Sequence, residues 1–311
     1  MELTGPNRDF VGYGRRAPKA VWPEGAQVAI NLVLVYEEGA EYSIPDGGGR
    51  NDAWGETSAE VDVRVRDLGT ETHYEYGSRA GIWRLAHLFD RAGIPVTVSA
   101  CAAALERNPD VAGWMVEREH DVLGHGLRWT EPWTQTRDEE RAHLHRAIDR
   151  FGELLGERPL GWNARTFPSV YTREPVVEEG GFVYYSDPCN DDLPYFADVA
   201  GTPLLVVPYS KVLNDARYLT APGFSSPQDF VDNCRFALDY LLEEADERGG
   251  RMMTVCVHAR WSGQPSRAAA VRDFIAHAAA QPAAIFMRRI DIARWWLAHH
   301  DEFDRPGLPT Q

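Results

Sequence analysis

The chain has 311 residues, 44% of them hydrophobic, which is enough for a sizeable core; ten Trp, twelve Tyr and twelve Phe make it aromatic-rich. A net charge of −15 provides no basic field for a nucleic-acid backbone or an acidic membrane and disfavours a bulk polyanionic substrate. Cys101, Cys189, Cys234 and Cys256 are scattered and form no CxxC pair, and neither a signal segment in MELTGPNRDF nor any membrane-length apolar run is present. These features lead us to expect a soluble, cytoplasmic protein, which weakens any reading with a cell-wall polymer as substrate.

After an irregular arm at about residues 1–25, QVAINLVLVY reads as a buried strand that ends in Glu37, Glu38 and a turn at Gly39. GAEYSIPDGGGRNDAWGE is too glycine-rich for a core element. Residues 78–93 have helical spacing, with Ile82, Leu85, Leu88 and Phe89 on one face and Gly93 as the stop. IPVTVSAC is the next strand, and a short helix around VAGWMVEREH leads into DVLGHG. An amphipathic helix is predicted over 136–157, with Thr136 and Glu139 as a capping box. GWNARTFPS reads as a short strand and turn, and a shorter helix runs through EEGG into FVYYSD. The strand LLVVPYS, at 204–210, precedes a long polar excursion and the helix DFVDNCRFALDYLLEEADERGG. MMTVCVH is a strand, SRAAAVRDFIAHAAAQ a helix, AIFMRR a final strand and IDIARWWLAHH a final helix.

Strands alternating with helices predict an α/β fold, a parallel sheet with helical cover. The number of repeats favours a closed or nearly closed barrel. No GxGxxG follows a strand, so a dinucleotide fold has little support. With no linker in view, residues 1–311 are expected to form one domain.

The ends of the apolar runs carry polar groups: Glu37 with Glu38, then His125, Arg165, Asp187, Tyr209 and His258. In a parallel barrel these ends gather at one face. A single strand-end carboxylate commonly just meets solvent; a whole set at equivalent positions suggests a site. Adjacent Glu37 and Glu38 point oppositely on a strand, so only one faces the barrel mouth unless the chain bends at Gly39. Their repulsion could also raise one of them into a range useful to a general base. His258 could protonate a leaving nitrogen, and Arg165 could orient a carboxylate or hold a carbonyl. In HGLRW, a metal site would ask for a second histidine four residues after His125, but that residue is Trp129. Only Glu38 and His125 are then plausible ligands, short of the three that catalytic zinc usually needs. No cofactor is therefore expected, with Zn²⁺ held by Glu38 and His125 as the alternative.

RDFVGYGR, NLVLVYEEGAEYSI, YEYGSRAGIWRL, GIPVTV, HGLRW, GWNARTFPS, SDPCNDDLPY and VHARWSGQPSR together resemble the polysaccharide-deacetylase (NodB-like) superfamily. Within it, the branch of PuuE-type allantoinases and cyclic imide hydrolases is the most similar. The resemblance implies a distorted parallel (β/α)7-type barrel. It places the family's base on Glu37, its metal-binding carboxylate on Glu38 and its first metal histidine on His125, with the second falling on Trp129. Its arginine falls on Arg165, the associated acid on Asp187 or Asp191, and the late histidine on His258. The branch is described as metal-independent, in keeping with Trp129. Two departures stand out: Val35 replaces the branch's Asn, and PDGGGRNDAWGE replaces its usual HGD-containing segment.

The expected activity is hydrolysis of a non-peptide C–N bond in a small cyclic amide, imide or ureide. Glu37 would be the base (Glu38 if the bend swaps them). His125 and Arg165 would position the substrate or stabilise the oxyanion, with His258 as the acid. Glu38, Asp187, Asp191 and Tyr209 would bind substrate, and Trp129 and Trp261 would stack on a flat ring. The alternatives are a metal-dependent N-deacetylase of an acetyl sugar, with His73 or an acidic loop residue as replacement ligand, and a barrel that only binds a small ligand or partner. Self-association is expected from the aromatic content and from the branch.

Overall fold

The computed structural model of the chain describes residues 5–56, 61–62 and 64–303. In chain order the strands are β1 (Val28–Tyr36), β2 (Thr97–Ala100), β3 (Asp121–Gly124), β4 (Gly161–Trp162), β5 (Tyr184–Tyr185), β6 (Tyr195–Val199), β7 (Thr202–Val206), β8 (Arg251–His258) and β9 (Ala284–Phe286). The helices are α1 (Leu68–Tyr76), α2 (Ile82–Ala92), α3 (Ala102–Arg107), α4 (Pro109–Glu117), α5 (Arg137–Leu155), α6 (Arg173–Glu179), α7 (Pro227–Arg248), α8 (Ala259–Ser262), α9 (Pro265–Ala279) and α10 (Arg289–His299). No described helix is long and apolar enough to cross a membrane.

All nine residues of β1 are buried, as a central parallel strand covered on both faces requires. One edge of β1 pairs with β8 from Val28 to Val35. The other edge is shared: β9 takes residues 28–30 and β2 takes 33–36. From β2 the sheet continues in parallel through β3, β4 and β5 to β7, and β6 folds back antiparallel on β7. The result is a curled, mostly parallel sheet, a distorted (β/α) barrel as the motifs implied.

Among the described residues, β7 and β8 form no ladder with each other. The chain after β7 closes that seam: Cys256 N–H donates to Leu213 O at 2.9 Å, and Asn214 bridges Cys256. Inside the seam lies the fully buried Arg289, which donates to Val207 O, Pro208 O and Thr254 Oγ1, each at 2.9 Å.

The predicted strands and helices are present. The Thr136/Glu139 capping box forms as expected, and Gly93 ends α2 in the left-handed region at φ 63. Features not anticipated include α1, α3, α8, the β6–β7 hairpin, and a π-turn over Gly77–Gly81 that opens the helix expected at 78–93. Packing explains the π-turn. A Cβ on Gly77 would sit 2.6 Å from Glu38 Oε1 and 2.9 Å from Arg260 N, so the widened turn lets this backbone lie directly on the site. The arm at 1–25 is irregular to residue 19, with 1–4 outside the described residues, and its end is not loose. Ala20 bridges Gly250, and buried Trp22 donates its indole N–H to Arg251 O at 2.8 Å, beneath the start of β8.

Candidate active site

The turn after β1 gives its two carboxylates different surroundings. Gly39, at φ 95, bends the chain, and Glu38 folds back so that Oε2 accepts Glu37 N–H at 3.0 Å. Glu38 Oε1 accepts Arg260 N–H at 3.0 Å and lies 3.4 Å from Arg260 Nη1, whereas Glu37 Oε1 pairs with Arg260 Nη2 at 2.5 Å. Arg260, at the start of α8, is fully buried and stacks on Trp261 (4.1 Å) and Tyr74 (4.5 Å). One guanidinium thus serves two buried carboxyls, and only one can ionise without leaving excess negative charge in the interior. Burial is the largest influence on Glu37 and pushes it up, but the Arg260 guanidinium together with His125 and His258 outweighs it and holds the group at about 2. Burial dominates at Glu38, reinforced by the Glu37 charge against the pull of Arg260, and raises it to about 7. Glu37 therefore faces the cavity as an ionised acceptor whose Oε2 receives no hydrogen bond.

His125 follows β3. Its Nε2 accepts the indole N–H of Trp129 at 3.0 Å, which fixes the proton on Nδ1, 3.2 Å from the carbonyl of Asn163. Asn163 Nδ2 donates in turn to Asp187 Oδ1 at 2.9 Å. The loop that holds His125 turns at Gly126 (φ 105) and rests on His143, whose Nε2 accepts Leu127 N–H at 3.0 Å. Burial lowers His143 to about 4, which keeps that ring a neutral acceptor.

His258 ends β8. Its Nδ1 lies 2.6 Å from Asp215 Oδ1, while Asp215 Oδ2 accepts His258 N–H at 2.7 Å and Ser262 Oγ–H at 2.6 Å. Asp215 is fully buried, so these bonds orient the imidazole and leave Nε2 as its free nitrogen. Trp261 packs on the ring at 4.2 Å.

Glu37, His125, Trp129, Asp187, Tyr209, His258 and Trp261 line one cavity of about 330 Å³. Three other predicted residues do not. Arg165 is 4% exposed; its charge is taken up by Asp52 (2.8 Å) and Glu131 (3.4 Å), and it donates to Trp129 O at 2.6 Å. Stacked 3.6 Å from the Trp129 ring, it braces that side chain from behind instead of reaching a substrate. Glu38 is turned away by its two backbone donors. Asp191 caps its own loop through Leu193 N–H at 3.0 Å. Arg260 and Asp215 belong to the site and were not singled out in the sequence. Arg260, two residues past the strand-end histidine, offered a signal; Asp215, deep in a polar excursion, offered none.

These residues do not fit a zinc ion. The Nε2 lone pair that His125 would offer is occupied by the Trp129 N–H, and Glu38 faces Arg260. His73 points to Glu56, 4.0 Å away. Among the described residues no group of three or more His, Cys, Asp or Glu converges on one point.

Residues 72–167 match the polysaccharide deacetylase family. A Schizosaccharomyces pombe protein whose name provisionally assigns it to the polysaccharide deacetylases is 32% identical over 94% of this chain and 98% of its own length. Two solved structures, a probable polysaccharide deacetylase from Pseudomonas aeruginosa PAO1 and the PuuE allantoinase, each superpose with a TM-score of 0.90 at 41% identity. Each covers 94% of this chain and 98% of the matched structure. The chain belongs to the polysaccharide deacetylase (NodB-like) superfamily, as a deacetylase-family hydrolase on the branch that includes the PuuE allantoinase.

Proposed function

We propose that the protein hydrolyses a C–N bond in a small cyclic amide, imide or ureide, without a metal. The observation that carries this reading is the pairing, across one aromatic-walled cavity, of an ionised Glu37 with a His258–Asp215 dyad. A volume of about 330 Å³ suits a single ring, and Trp54, Trp129 and Trp261 supply flat walls. Water attached to Glu37 Oε2 attacks the carbonyl, a C–O bond forms and Glu37 takes the water proton. Imidazolium His258, stabilised by Asp215, gives its proton to the nitrogen as the C–N bond breaks. Water is consumed, and the product is the ring-opened acid with a free nitrogen terminus.

Arg260, with His125 and His258, favours the ionised form of Glu37 at a cost in basicity. His125, with both ring nitrogens committed to Trp129 and Asn163, offers the substrate a ring face and not a hydrogen bond. The Trp261 indole N–H, which has no acceptor among the described residues, is available to a substrate carbonyl. Removal of one such donor typically costs about 3 kcal/mol in the barrier.

The likeness to the PuuE allantoinase supports a cyclic ureide, whereas the names of the yeast and Pseudomonas relatives point to acetylated sugars. A panel of allantoin, hydantoin, dihydropyrimidines, succinimide and N-acetyl sugars, run in chelator with mass detection of water addition, separates the two. Ring opening supports the proposal; turnover of acetyl sugars alone sinks it.

A further inference from the structure

The cavity has two ends of opposite character. At its buried end lie Glu37, whose Oε2 accepts no hydrogen bond among the described residues, and Asp187, whose carboxyl interacts with the Tyr185 hydroxyl. Asp187 Oδ1 is saturated by Asn163 Nδ2 and by Ala164 N–H at 2.7 Å. The unpaired Glu37 oxygen suits the N–H group of a ring amide or an attacking water. Lys211 and Arg217 line the outer part. The Lys211 ammonium sits 3.5 Å from the Phe167 ring centre and donates to Thr166 O at 2.8 Å. Arg217 Nη2 donates to Pro222 O at 2.8 Å, with its guanidinium 5.7 Å from the Phe224 ring. Neither cation has a described carboxylate within 4.0 Å, in a chain with 47 acidic residues against 32 basic ones.

The neighbouring Arg267 and Arg260 both carry carboxylate partners, whereas Lys211 and Arg217 reach the cavity without one. Lys211 is also one of only two lysines in the chain, the other being Lys19. Ring faces and carbonyls hold Lys211 and Arg217 without neutralising them. Their field favours an anion at the mouth even though the whole molecule is acidic. A pair of side-chain cations suits a carboxylate substituent.

We propose that the substrate is a cyclic amide, imide or ureide bearing a carboxylate substituent, which Lys211 and Arg217 bind while the ring lies between Glu37 and His258. This rests on the hydrolase reading above and specifies its substrate class.

The test compares matched rings, hydantoin with carboxymethylhydantoin and dihydrouracil with dihydroorotate. It uses wild type, Lys211→Met, Arg217→Met and Lys211→Arg, at low and high salt. Wild type should favour the carboxylated ring by about tenfold or more in kcat/KM. Each Met variant should cut that ratio severalfold through KM; Lys211→Arg should retain it, and salt should shrink it. A structural role for Lys211 would lower both rings together and leave the ratio intact, which overturns the proposal, as does equal or better turnover of the uncharged rings. Should no ring open, the hydrolase reading fails on its own. Calorimetry then decides the anion subsite: tighter binding of the carboxylated ring to wild type than to Lys211→Met upholds it, and equal binding overturns it.

Discussion

Glu38→Gln isolates the consequence of placing two carboxyls on one guanidinium. In the folded chain Glu38 is raised from the ordinary 4.5 to about 7, chiefly by burial, so folding takes up a proton between those values. Its stabilising contribution is complete below 4.5 and is lost as pH rises through about 7. At about 1.4 kcal/mol per pH unit, the interval corresponds to about 3 kcal/mol of stability that wild type loses and a non-titrating glutamine keeps. The side chain is 2% exposed, so solvent screening takes little away. Glu41 is also raised to about 7, chiefly by burial, and the Glu38 charge contributes to that rise, so Glu41 cancels only in its burial part. Glutamine brings a fixed penalty, because its amide must face one of the donors now served by Glu38. The measure is therefore the change with pH, not the offset. Urea unfolding of both proteins at about pH 4 and about pH 9 should shift the difference by about 3 kcal/mol in favour of the variant at the alkaline end. A flat difference, or one that grows against the variant with pH, would refute the assignment of the shared proton to Glu38.

Asp215→Asn should leave the fold intact and lower kcat by about 10³-fold, because an amide facing Nδ1 imposes the wrong tautomer on His258; a loss of less than threefold would remove the dyad from the mechanism. With Glu37 held at about 2, the kcat/KM profile should show no acid limb from it down to about pH 4. A steep acid limb near neutrality would instead make His258 the base. Prolonged chelation, checked by elemental analysis, should leave kcat/KM within about twofold, since the His125 lone pair is committed to Trp129. Activity that vanishes and returns with zinc would contradict this.

Much of the site could be read from the sequence because strand ends in a parallel barrel converge: Glu37, His125, Asp187, Tyr209 and His258 come from β1, β3, β5, β7 and β8 and line one cavity. The same rule failed at Arg165 and Asp191, where position near a strand end says nothing about side-chain direction. Arg165 had carboxylate partners at Asp52 and Glu131 that draw it behind Trp129, and Asp52 lies in the glycine-rich stretch with no periodicity to place it. Asp215 was hidden for a related reason. It arrives on a non-repetitive segment whose course depends on a tertiary bridge to Cys256. The resemblance already favoured Glu37 over Glu38 as the base, but the Arg260 charge that helps separate their proton affinities came from α8, a single turn too short to show a helical period.

The seam between β7 and β8 also bears on how this enzyme can diversify. The segment that seals it carries Tyr209, Lys211, Asn214 and Asp215 in quick succession, so closure of the sheet and the outer wall of the cavity are written in the same few residues. Its backbone is pinned at Leu213 by Cys256, which fixes its length, whereas the side chains facing the cavity take no part in that pin. Point substitutions along this strap can re-specify the ring substituent without shifting any strand register. Insertions or deletions there would shear Asp215 away from His258, so new specificities at this wall are reached by exchanging side chains and not by remodelling the loop.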